Sequence, residues 1–181
     1  MYGKDKGQEF ERTISQRLSM WVSKGVRKDV FWRSASSGGR RVDGKPIDTQ
    51  AGDIVAVDTL GFSLTNTFVI ECKYWADLAW EDLVYRRASG LLEFEWKKLT
   101  RICASVRKEP FFLVKKNRRH EIVGVTHAGL HILNACSSRT IDVIATFKIP
   151  EQLDMVIVPL SDLLVFVDPT RFIDAKASLD S

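Results

Sequence analysis

Apolar residues recur at three- and four-residue steps between Gly7 and about Val22, where Phe10, Ile14, Leu18 and Trp21 or Val22 form one stripe. That is the period of an amphipathic helix, and it leaves Glu11 on the flank of the stripe. Val30–Phe31–Trp32 then reads as a short strand. From Ser34 to Gly52 the pattern dissolves into serines, glycines, one proline and basic residues, which predicts a long, flexible, basic loop. Asp53 opens the β-branched run Ile54–Val55–Ala56–Val57, a strand that Gly61 ends. Thr67 to Lys73 is the next strand, joined to it by a hairpin-like connection. Helical spacing fills Leu78 to Val106, as two helices parted near Ser89–Gly90, and Pro110 stops it. Further strands are expected at Phe111–Val114, Glu121–Val125, Ile141–Phe147 and Met155–Pro159, with Ser161 as a cap for a short helical turn. Helix, strands, helices, strands is the order of an α/β fold: a mixed central β-sheet flanked by helices.

Composition narrows the class without naming a function. The 181 residues, 45% hydrophobic and 28% charged, suit one globular domain spanning 1–181. No apolar run is as long as a membrane span, and the first twenty residues are charged rather than signal-like. An intracellular, cytoplasmic protein that does not engage a membrane is expected, and a virus or phage origin is left open. Cys72, Cys103 and Cys136 are odd in number and far apart, so they predict reduced, buried thiols and neither a disulfide framework nor a zinc cluster. His120, His127 and His131 make no ligand spacing. The net charge of +4 is a weak hint alone, but basic residues cluster, as at Arg40–Arg41–Lys45 and Lys97–Lys98–Arg101. Each cluster can be a solvated face; several converging on one cleft would form a footprint for a polyanion.

Candidate chemistry gathers around Glu71–Cys72–Lys73. Alternation along a strand turns Glu71 and Lys73 to one face and Cys72 to the other, packed one. A lone carboxylate and ammonium at a strand end is most often only a charged strand end. Asp53, opening the neighbouring strand after a glycine, changes that reading, because adjacent strands can bring it beside Glu71. Two carboxylates with a backbone carbonyl and waters make the hard oxygen site that Mg²⁺ prefers, with Mn²⁺ as a substitute. Such an ion beside a lysine suits phosphodiester hydrolysis. Asp48 after Pro46–Ile47 is a weaker candidate than Asp53 because it lies in the loop, and Asp58 is read as a turn acid.

Asp53 followed by Glu71–Cys72–Lys73 resembles the PD-(D/E)xK nuclease motif, which implies a restriction-endonuclease-like core. Lys6–Gly7–Gln8–Glu9–Phe10–Glu11–Arg12 is similar to the first helix of archaeal-type Holliday junction resolvases, with Glu11 rather than Glu9 at the position of a third metal-binding acid and Arg12 beside it. Trp32–Arg33–Ser34–Ala35–Ser36–Ser37–Gly38–Gly39 resembles the arginine, serine and glycine segment before that family's catalytic aspartate, and 97–115 its later helix and strand. The likeness covers about residues 6 to 125. It implies a homodimeric, Mg²⁺-dependent nuclease acting on branched double-stranded DNA, with Glu11, Asp53, Glu71 and Lys73 catalytic and the three acids as metal ligands. Arg12, Arg33, Ser34, Ser36, Arg40, Arg41, Lys45, Lys97 and Arg101 are the expected DNA contacts. The loop before Asp53 is longer than in that family, and 74–95 is expanded with tryptophans whose expected role is packing, base stacking being the alternative. Apolar residues such as Leu91, Leu163 and Val165 can serve a dimer interface or the core. Other readings are a related nuclease acting on flaps, single strands or linear duplex, and a non-catalytic DNA-binding relic, against which stands the presence of all four residues.

Overall fold

A computed structural model describes residues 3–34, 41–42, 45–46, 51–75, 90–149 and 152–177. Helix α1 (Gly3–Val22) buries Phe10, Ile14, Leu18 and Val22, the stripe that its spacing predicts, and starts four residues before the expected Gly7. Strands β1 (Phe31–Arg33), β4 (Ile54–Ala56), β5 (Phe68–Trp75), β6 (Glu109–Lys116), β7 (Ile122–Val125), β9 (Met155–Pro159) and β8 (Ala145–Phe147) form one sheet in that spatial order. Among the described residues only β5 and β6 run parallel, and helix α3 (Gly90–Val106) lies between them in the chain. Such a crossover is needed because parallel neighbours cannot be linked by a tight turn. The fold is therefore the α/β class expected, a mixed sheet flanked by helices.

The sheet divides the core in two. On one face α1 packs with Phe31, Ile70, Cys72, Phe111 and Leu113. On the other, α3 sets Leu92, Trp96 and Leu99 against Val69, Phe112 and Val114. Each large apolar side chain so buried contributes roughly 1.5–3 kcal/mol relative to exposure, which makes β5 and β6 a rigid platform. Cys72, Cys103 and Cys136 are all buried free thiols, as expected.

Several local expectations need correction. The link between β4 and β5 is not hairpin-like: a 3-10 turn (Thr59–Gly61) and helix α2 (Phe62–Thr67) fill it, and Asp58 caps the turn by accepting from the Leu60 amide. The stretch 34–52 is not loop throughout, since β2 (Arg41–Val42) pairs with β3 (Lys45–Pro46) inside it. The flexibility expected of 35–40, 43–44 and 47–50, and the first of the two helices expected from Leu78, lie outside the described residues. The strand foreseen over Ile141–Phe147 is confined to Ala145–Phe147. Ser161 is not a cap: helix α5 (Leu160–Phe166) starts after Pro159. Helix α4 (His127–Ala135) is an element the apolar pattern did not suggest; Thr126 caps it by accepting from the Gly129 amide.

Candidate active site

Asp53 meets Glu71 because of the register between two strands. Ile54 pairs with Ile70 in the antiparallel β4–β5 ladder. One step further, Asp53 falls opposite Glu71, and such cross-strand neighbours have Cβ atoms about 5 Å apart. The Asp53 amide donates to the Ile70 carbonyl at 2.8 Å, and the Cys72 amide donates to Asp53 Oδ2 at 2.9 Å. Asp53 is thus pinned at both backbone and side chain, with its carboxylate held against β5.

Gly52 makes this approach possible. Its φ of +92° lies in the left-handed region, and a Cβ there would stand 2.5 Å from the Ile70 carbonyl oxygen. Any side chain would push β4 away from β5 at the step that sets Asp53 beside Glu71.

The pair is buried, with Asp53 5% and Glu71 8% exposed. Burial, and next the charge of Glu71, push the Asp53 carboxyl up to about 7, although the Cys72 amide works the other way. Lys73 emerges on the same face as Glu71, and its Nζ donates to Glu71 Oε1 at 2.8 Å. Burial alone would lower the Lys73 ammonium, but Glu71, Asp53 and Glu95 outweigh it and hold it above its ordinary value. Lys73 is therefore held as an ammonium beside Glu71. Cys72, on the opposite face, is pushed well up by burial and is inert as a nucleophile.

The structure joins Asp53, Glu71 and Lys73 closely and places Glu11 differently. Glu11 belongs to α1, on the far face of the sheet from Lys73, and accepts from Arg33 Nε at 2.7 Å. It still adds to the upward push on Asp53. Among the described residues no three His, Cys, Asp or Glu side chains gather as a ready metal cage. The donor chemistry nevertheless fits a divalent cation. Asp53 and Glu71 are hard oxygen donors, buried side by side, and their mutual repulsion is what such an ion relieves.

The expected DNA contacts scatter more widely. Arg12, exposed, and Arg33 line a groove of about 420 Å³ between α1 and β1, together with Lys28 and Trp32. Trp32 is 62% exposed on the sheet's edge strand, whereas Trp96 is wholly buried. Ser34 is buried and its amide donates to the Asp53 carbonyl, so it braces the site's backbone. On α3, Lys97 is paired with Glu93 at 2.6 Å and Arg101 is exposed near Gln152. Arg41 and Lys45 stand on the small hairpin, while Ser36 and Arg40 lie outside the described residues. Of the apolar interface candidates, Leu163 is core, while Leu91 and Val165 are exposed.

Glu95 is a site residue that the sequence pattern alone did not single out. It sits on α3, 3.5 Å from Lys73 Nζ and only 16% exposed. The signal was present: Leu92, Trp96, Leu99 and Cys103 form the buried stripe, and Glu95 is three residues after Leu92 and four before Leu99. A carboxylate inside an apolar stripe needs a partner, and here that partner is Lys73.

No helix among the described residues is long and apolar enough to cross a membrane. Neither the curated proteins nor the solved structures contain a match to this chain. A family model described as "Phage putative PDDEXK endonuclease" matches residues 2–174, nearly the whole chain. With the acidic pair and its lysine in the geometry above, the chain belongs to this phage PD-(D/E)xK endonuclease family and is a nuclease of the hydrolase class.

Proposed function

We propose that the protein is a Mg²⁺-dependent, structure-selective DNA endonuclease that resolves four-way junctions by paired, symmetric nicks, acting as a homodimer. The observation that carries the catalytic part is the buried Asp53–Glu71 pair with Lys73 Nζ at 2.8 Å from Glu71. Asp53 and Glu71 would hold the cation, and Glu11 is the third acid that the order of the sequence motifs offers. Bound there, a divalent ion lowers the pKa of water and offsets charge on the phosphate oxygens. Lys73 presents a permanent positive charge to the scissile phosphate. Burial of Asp53 and Glu71 against β5 and β6 fixes the donors in a low-dielectric setting, where their charges act most strongly.

The branched-DNA part rests on the order of the sequence motifs and on charge. Arg12, Lys28 and Arg33 line one groove beside Trp32, a surface suited to a phosphate track that leads along β1 toward Asp53. Arg41 and Lys45 belong to the small hairpin, and Lys97 and Arg101 to α3, so basic residues recur on further elements. A two-fold dimer would present one site to each of two opposed strands of a junction, which is itself nearly two-fold symmetric.

The test is a panel of labelled four-way junction, flap, single strand and linear duplex, each with Mg²⁺ or chelator, with sedimentation of the free protein. Symmetric nicks on the junction, slower cutting of duplex and a dimer are expected. A monomer that cuts linear duplex as fast as junctions overturns the resolvase reading and leaves the nuclease.

A further inference from the structure

Lys73 stands between two carboxylates, and only one of them belongs to the nuclease motif. Its Nζ is 2.8 Å from Glu71 and 3.5 Å from Glu95. Glu71 therefore has two claims on it. It is the nearest anion for Lys73, and it is also the carboxylate that a divalent cation needs beside Asp53. A cation on Glu71 would repel an ammonium so close to it, and a lysine without a second anion would compete with the ion or swing away.

The geometry points to Glu95 as a positioning residue that takes over Lys73 when a divalent cation occupies Asp53 and Glu71. Lys73 then stays charged and in place without displacing the ion. This rests on the nuclease reading of the centre. Three features fit the role. Glu95 is carried by a helix whose Leu92, Trp96 and Leu99 are buried, so its carboxylate is held by a rigid element. It differs from its helical neighbour Glu93, which is 32% exposed against 16% for Glu95 and pairs with Lys97 rather than with a residue of β5. Finally, Glu71 and Glu95 both lie within ion-pair distance of Lys73 Nζ, so the ammonium keeps an anion beside it when Glu71 turns to a cation. Lys98, 3.9 Å from Glu95 on the solvent side, keeps the carboxylate partnered on its outer edge.

Calorimetric titration of the DNA-free protein with Ca²⁺ tests this without relying on cleavage. Glu95→Gln is measured in the wild-type background and in Lys73→Met, with melting curves to show that each variant folds. If Glu95 acts through Lys73, the substitution weakens Ca²⁺ binding about tenfold in wild type and less than about twofold in Lys73→Met. Glu95→Asp restores part of the affinity, and in steady-state cleavage Glu95→Gln lowers kcat with KM unchanged. An equal loss in both backgrounds would show Glu95 acting directly on the ion and overturn the assignment, as would no loss in either. Wild-type protein that binds no Ca²⁺ at all would instead defeat the metal reading of Asp53 and Glu71 themselves.

Discussion

Two acids attributed to one site sit in opposite circumstances. Glu11, on the α1 face, is matched by the Arg33 guanidinium at 2.7 Å and needs nothing more to be stable. Asp53, in the seam between β4 and β5, is buried beside another carboxylate, and burial with Glu71 raises it to about 7. The first arrangement resembles any partly buried ion pair, which stabilises modestly. The second is electrostatically costly, and buried carboxylates perturbed in this way mark a candidate functional site. The difference is that Glu11 already has its counter-charge and the Asp53–Glu71 pair does not share one equally.

The comparison breaks first at its centre. Glu71→Gln and Lys73→Ala should each reduce cleavage by about a thousandfold or more while DNA binding persists, on the scale of losing a principal electrostatic group. Quantified nicking of a labelled substrate checks this, and near-normal cutting by Lys73→Ala removes the lysine from the mechanism.

Gly52→Ala should come next. The added methyl would meet the Ile70 carbonyl at 2.5 Å in a backbone region unsuited to L side chains. Melting should fall by the equivalent of about 2 kcal/mol or more, and activity should fall further because Asp53 shifts from Glu71. A variant of normal melting temperature and normal rate would show that β4 accommodates the methyl.

The pH response sharpens the contrast between the two acids. Asp53 has a folded pKa raised from its ordinary value to about 7, so it binds its proton more tightly folded than unfolded. The stability this contributes is complete below about pH 4 and is lost as pH rises through about 7. In chelator, Asp53→Asn should therefore melt several degrees above wild type at pH 8 and at nearly the same temperature at pH 4. Differential scanning calorimetry at both pH values decides it, and an unchanged gap means that Asp53 ionises freely. Because the cation needs the ionised carboxylate, cleavage should climb with pH up to and past 7.

The smallest effects belong to the supporting rim. Neutralising Arg12 and Lys28 should weaken binding to all DNA forms and reduce the salt slope by about one unit for each phosphate that loses its cation. An unchanged slope would place the DNA elsewhere.

How much of this was legible in the sequence follows from the same contrast. Asp53, Glu71 and Lys73 could be read because strand alternation and strand adjacency are short-range rules, and Gly52 stood next to the aspartate. Helix α1 was legible because its buried stripe is continuous. Glu95 was not, since its relation to Lys73 depends on how α3 crosses between β5 and β6, a long-range fact. Helix α2 was hidden because Phe62 to Thr67 is short and rich in residues of low helix propensity.

The central claim is that the buried pair serves a divalent cation in cutting DNA. It is tested most directly by following labelled four-way junction with wild type and Asp53→Asn, each in Mg²⁺ and in chelator. The account predicts nicking by wild type in Mg²⁺ alone, and none by Asp53→Asn although it still shifts the DNA in a gel. Cleavage in chelator, or undiminished cleavage by Asp53→Asn, would contradict it.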